Sequence, residues 1–327
     1  MKKILSIFAV SSTLVFSTSL FANTIGVIYD SGGKFDKSFN ELAYNTAERV
    51  KNELGWGMIE FEAANNTQIE QGMRKVADRG ASLIVAMGFA QADAVAAIAP
   101  QYPDVNFVAV DVCWVDDPAG NIYQACYKEH EGSFLVGMIA AMASKSGTIG
   151  FVGGMDIPLI RKFQGGYEQG AQYVNPDIEI HANMTGTTPE AWNNPTKGAE
   201  LTKAQIDKGA DVVYQAAGGT GIGVLQAAAD AGIMGIGVDT NQNWMHPGTM
   251  LTSMLKRLDL TIFEQAEKTV AGTFEPSGKF LSLGLAEGMV GYATQDGMVT
   301  DEMVAAVEAA AAEIVSGSLA VADWSQE

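Results

Sequence analysis

One stretch of this sequence is written twice, and the repeat limits the fold more than any other feature. Thr24-Ile25-Gly26-Val27 returns as Thr148-Ile149-Gly150-Phe151. Gly80-Ala81-Ser82-Leu83-Ile84-Val85 returns as Gly209-Ala210-Asp211-Val212-Val213-Tyr214. Val108-Ala109-Val110-Asp111 returns as Ile236-Gly237-Val238-Asp239. The offsets are 124, 129 and 128 residues, and the order is the same in both copies. Two lobes of one topology follow. Each matched run is short, apolar or β-branched, and ends in Gly or Asp, as buried parallel strands do. Helical patterns fall between the runs, over 38–54, 67–79 and 93–99, then 161–173, 195–208 and 223–231. Alternating strand and helix predicts an α/β protein of two similar, doubly wound lobes. Strand-like segments at 250–254 and 279–285 and an Ala-rich helix over 301–316 come last. Late segments passing between the lobes would make a multi-strand hinge.

Open parallel sheets bind ligands beyond the carboxyl ends of their strands. The residues that follow each run are therefore the candidates. Asp30 ends the first run, before a loop containing Gly32 and Gly33. Ser38 or Asp36 is placed to cap the next helix, whose first turn carries Phe39 and Asn40. Gly88-Phe89 and Gly218-Gly219-Thr220-Gly221 follow the second matched pair, where backbone amides at a helix start can donate to ligand oxygens. Asp111 and Asp239 end the third pair, and a carboxylate there suits vicinal hydroxyls or an amino group. Lys256 stands where the chain leaves the second lobe. Trp192 lies in a polar loop, where a ring can stack on a flat ligand. Each has a plainer reading too: core packing for Phe39, loop packing for Trp192, tight turns for the glycines, capping or loop closure for the aspartates.

Several classes are excluded. The Gly-rich run is neither GxGxxG nor a Walker A loop, so no nucleotide cofactor is expected. The three histidines are scattered, so no metal site is expected. Net charge is −18, or −20 without Lys2 and Lys3, which disfavours nucleic-acid polymers. The start is Lys2-Lys3, an apolar run to Phe21 and then Ala22, the pattern of a cleaved secretory leader over 1–22. No cysteine stands at the cut, so the expected product is a periplasmic chain without a lipid anchor. About 305 residues remain, enough for two lobes. Export permits a disulfide between Cys113 and Cys126, which flank one loop, and leaves it open.

Five segments taken in order resemble one family: Asp36-Lys37-Ser38-Phe39-Asn40, Glu131-Gly132-Ser133-Phe134-Leu135-Val136-Gly137, Ala217-Gly218-Gly219-Thr220-Gly221, Gly237-Val238-Asp239 and Leu251-Thr252-Ser253-Met254-Leu255-Lys256. The resemblance is to the basic membrane protein (Bmp) family of ABC-transporter substrate-binding proteins, near its purine nucleoside receptors. It implies the type I periplasmic binding fold, with one lobe at 23–128 plus 258–281 and the other at 129–257 plus 282–327. It implies a monomeric, non-enzymatic carrier of a purine nucleoside that docks on a membrane permease with a separate ATPase. A sugar or other polar solute is the alternative ligand. By the same resemblance Phe39 and Trp192 would sandwich the base, and Asp30, Asn40 and Asp111 would line its side. Gly218, Asp239 and Lys256 would hold ribose. Two departures stand out: tryptophan at 192 replaces the usual phenylalanine, and Thr240-Asn241-Gln242 lacks a common acidic residue.

Overall fold

The computed structural model describes residues 23–63 and 65–326; the expected leader over 1–22 and its cut lie outside them. The first lobe opens with β1 (Thr24–Tyr29), α1 (Phe39–Leu54), β2 (Gly57–Glu62), α2 (Asn66–Asp78), β3 (Leu83–Met87), α3 (Ala92–Ile98), β4 (Asn106–Val110) and β5 (Ile122–Tyr127). The second holds α4 (Glu129–Ala143), β6 (Thr148–Met155), α5 (Pro158–Val174), β7 (Glu179–Gly186), α6 (Pro195–Ile206), β8 (Val212–Ala216), α7 (Thr220–Asp230), β9 (Met234–Asp239) and β10 (Met250–Lys256). The chain then returns to the first lobe with α8 (Leu258–Ala271) and β11 (Ser282–Leu283), and ends in the second with β12 (Val290–Tyr292) and α9 (Asp301–Ser316).

The strand orders are β11-β5-β4-β3-β1-β2 and β12-β10-β9-β8-β6-β7, one pattern written twice. All neighbours are parallel except β10 and β12. Three crossings join the lobes, after Tyr127, after Lys256 and after Leu283. The sequence reading hands the chain to the second lobe at 282. Ser282 and Leu283 instead pair with Cys126 and Tyr127 in the first sheet. Two residues are too few to display a strand period.

The local reasons are ordinary. β1 and β3 are buried almost end to end, because helices cover both faces of a parallel sheet. α1 stops at Gly55, which takes the left-handed conformation and donates its N–H to Lys51 O. α4 is buried on every side over its first twelve residues, packed by α5, α9, β10 and β12. At the α4–α5 crossing the helix backbones touch. A Cβ on Gly166 would strike the carbonyl of His130, and one on Gly170 that of Phe134. Cys113 and Cys126 are joined, with Cα atoms 5.7 Å apart.

Candidate functional site

The strand ends of both sheets face one gap between the lobes, and a cavity occupies it. From the first lobe it is lined by Asp30, Gly32, Asp36, Phe39, Gly88, Phe89 and Asp111. From the second come Leu159, Ile160, Phe163, Trp192, 216–218, Val238, Asp239 and Lys256. Every residue that the resemblance assigns to the ligand lines it except Asn40, and Gly88 and Phe89 line it too.

Asn40 is fully buried and works behind the wall. Its Nδ2 donates to Asp30 Oδ1 at 2.6 Å and to Asp36 Oδ2 at 3.1 Å, and its Oδ1 accepts the Asp30 N–H. A side chain so engaged is a support, not a wall of the cavity. Asp36, rather than Ser38, caps α1: it accepts the N–H groups of Ser38, Asn40 and Glu41 at 2.9–3.1 Å. Burial pushes the Asp36 carboxyl up to about 7, against those N–H donors. Asp30 keeps some surface open to the cavity, yet surrounding protein desolvates it and raises its pKa. The amide of Asn40 and the N–H of Gly32 pull the other way.

Charge gathers at the hinge. Lys256 Nζ lies 2.6 Å from Asp111 Oδ1 and 2.9 Å from Glu129 Oε1, and all three residues are buried. Lys162 Nζ is 3.0 Å from the other Glu129 oxygen and donates to Tyr127 O at 2.6 Å. Burial opposes the Lys256 charge, but Asp111, Glu129 and Asp239 outweigh it, so its pKa is raised and the ammonium stays charged. Burial raises Asp111 to about 6 against the pull of Lys256. Glu129 has two ammonium neighbours, which overcome its burial and hold it below the usual carboxylate range. Lys256 Nζ also sits 5.4 Å from the centroid of the Phe39 ring. Asp111 and Asp239, the paired strand ends, both have positive φ, 61° and 65°. That uncommon conformation turns each carboxylate off its strand and into the gap.

In the second lobe, Trp192 ends a short 3-10 turn between β7 and α6. The six-membered part of its ring packs against Gly154, where any Cβ would collide with it. The preceding carbonyl, of Ala191, accepts from Thr185 and Thr220 hydroxyls at 3.0 and 2.7 Å. The turn is thereby fastened to β7 and α7.

These walls can be set beside known proteins. Residues 22–324 match the family model Bmp, described as ABC transporter substrate-binding protein PnrA-like. The chain belongs to this family. A Bmp protein of Lactococcus lactis subsp. cremoris, named ABC transporter nucleoside-binding protein BmpA, is 31% identical over 90% of this chain and 88% of its own. A Pyrococcus furiosus protein named an uncharacterized lipoprotein is 33% identical over 84% of this chain and 71% of its own. The crystal structure of an ABC-transporter solute-binding protein from Aeropyrum pernix K1 superposes with a TM-score of 0.82. It is 26% identical and covers 92% of this chain and 93% of that one. This Bmp protein thus has the type I periplasmic binding fold, and it is a substrate-binding protein of an ABC transporter. No helix among the described residues is long and apolar enough to cross a membrane.

Sequence reasoning missed Glu129, Lys162 and Phe163. Glu129 stands two residues past the end of β5, within reach of a strand-end signal. Lys162 and Phe163 sit one turn into α5 and carried no such signal. Among the described residues no group of three His, Cys, Asp or Glu side chains forms a metal cluster.

Proposed function

We propose that the interlobe cavity holds a purine nucleoside, with the base between Phe39 and Trp192. One observation carries the reading: an aromatic ring from each lobe lines the same cavity as Asp111, Asp239 and Lys256. A base has two π faces and a ribose has vicinal hydroxyls, so the rings and the charged groups of one cavity suit the two halves of one molecule. Stacking contributes roughly 1–3 kcal/mol per base. Hydrogen bonds from ribose hydroxyls to Asp239 and Asp111, and from Lys256, add roughly 1.5–3 kcal/mol each. Asp30 accepts from an N–H on the base edge. Because the walls belong to different lobes, both sets of contacts need the lobes together, and ligand biases the hinge toward closure. The name of the Lactococcus relative supports a nucleoside.

In this reading the closed monomer docks on a permease powered by a separate ATPase, and the chain performs no catalysis. It is exported to the periplasm and released from its leader. The lipoprotein name of the Pyrococcus relative argues for an anchored end instead. The mass of the mature chain decides that point, since a diacylglyceryl increment would overturn free release.

Calorimetry tests the ligand. Guanosine, inosine or adenosine should bind with dissociation constants on the order of micromolar or tighter. Binding of hexoses or pentoses alone would remove the nucleoside. Release of free base on incubation would overturn the carrier role.

A further inference from the structure

We infer that Ser38 and Gln242 form a latch that holds the lobes together independently of ligand, and that they are positioning residues for binding. Ser38 occupies the N-cap position of α1, where a serine hydroxyl ordinarily bonds its own helix. Here it makes no cap bond. Asp36 has taken that task, and the Ser38 hydroxyl crosses to the other lobe. It donates to Asp239 Oδ2 at 2.5 Å and approaches Val238 O at 3.3 Å. One residue earlier, Lys37 sits at φ 62°, in the left-handed region that non-glycine residues rarely adopt. That turn presents the Lys37 carbonyl to the second lobe, where Gln242 Nε2 donates to it at 2.8 Å.

Gln242 is fixed before it reaches across. Its Oε1 accepts from Val238 N at 2.9 Å and Gln215 Nε2 at 2.8 Å, both within its own lobe. Its backbone N–H donates to Ser253 Oγ at 3.0 Å. Ser38 and Gln242 are both fully buried, and neither lines the cavity. The lobes also meet nearby, where a Cβ on Gly219 would stand 3.3 Å from Gly32 O. Two hydrogen bonds, one to a carboxylate, therefore favour the closed arrangement through donors, Ser38 Oγ and Gln242 Nε2, that lie outside the cavity. A residue of this kind sets affinity by changing how strongly the protein favours closure once ligand has entered.

The deciding variants are Ser38→Ala and Gln242→Glu. Gln242→Glu keeps the acceptor oxygen for Val238 and Gln215 and replaces only the donor that faces Lys37. Fluorine NMR on protein grown with fluorotryptophan, with the Trp192 signal assigned by Trp192→Phe, reports closure in ligand-free protein. Each variant should shift the ligand-free equilibrium toward the open form roughly tenfold, and speed guanosine release by a similar factor with association unchanged. A ligand-free spectrum identical to wild type, even alongside weaker binding, overturns the latch and leaves Ser38 as a support for Asp239. If Ser38→Ala does not fold, Gln242→Glu decides alone. The ligand-free reading does not depend on ligand identity. If wild type fails to bind guanosine, the nucleoside proposal falls while the spectrum still judges the latch.

Discussion

Asp30 and Gly154 occupy the same place in the two lobes. Ile25 pairs with the first residue of β3 and Ile149 with the first residue of β8, so five residues further on Asp30 and Gly154 correspond. The first lobe uses the position for a carboxylate held by Asn40. The second empties it, and the Trp192 ring fills the space. At the hinge Val110 pairs with Ala125 and Val238 with Met254, which makes Tyr127 the counterpart of Lys256. These counterparts meet: Lys256 Nζ lies 5.0 Å from the Tyr127 ring centroid. The loops after β4 and β9 differ again. The first is stapled by Cys113–Cys126, and the second is tied by Asn241 and Asn243 donating to Gln295 O. One backbone plan has acquired two chemistries, an acidic wall and a mainly aromatic and aliphatic one.

The hinge tests that asymmetry most severely. Lys256→Met leaves Asp111 and Glu129 buried without their shared ammonium, and should cost about 3–5 kcal/mol in urea denaturation. A loss under 1 kcal/mol would mean the two carboxylates are neutral in the fold. Reducing the disulfide should cost the first lobe about 3 kcal/mol, as expected for a loop of this length. If unfolding is unchanged by reductant, the bridge does not distinguish the lobes. Trp192→Ala should weaken guanosine binding by about 1–3 kcal/mol with little change in melting temperature. Equal losses of stability and affinity would make the ring a packing element.

Proton uptake sharpens the contrast between the walls. Asp36 titrates near 7 in the folded state against an ordinary value of 3.8. Between those values the folded form holds a proton that the unfolded form lacks. Its contribution to stability is therefore full at low pH and is lost as pH rises through about 7. Asp36→Asn should flatten the decline in stability between about pH 4 and 7; an unaltered slope would place the titration elsewhere. Smallest of all, Tyr127→Phe removes one hydrogen bond to Thr261 Oγ1 and should cost about 1 kcal/mol. A cost equal to that of Lys256→Met would erase the distinction between the counterparts.

The strands of the repeat were readable in the sequence because they are buried on both faces and appear as apolar runs. β2 and β7 are edge strands with mixed exposure, and they passed unnoticed. α4 is covered on all sides, so it shows no stripe of period 3.6 to mark a helix. At the site, Asp30, Asp111 and Asp239 were legible because parallel sheets put their ligands beyond strand ends. Asn40 was given the wrong part: a residue in a first turn can face the gap or brace the residue that does, and adjacency in sequence does not separate the two. Lys162 was invisible because its partner Glu129 begins another helix, and only folding brings the two together.

The bare contact between α4 and α5 has a mechanical consequence. α4 starts immediately after the first crossing, and α5 supplies Leu159, Ile160 and Phe163 to the cavity. With main chain against main chain at Gly166 and Gly170, no side chain can re-pack to absorb a displacement. A substitution with any side chain at either glycine would push α5, and with it that wall of the cavity, away from α4.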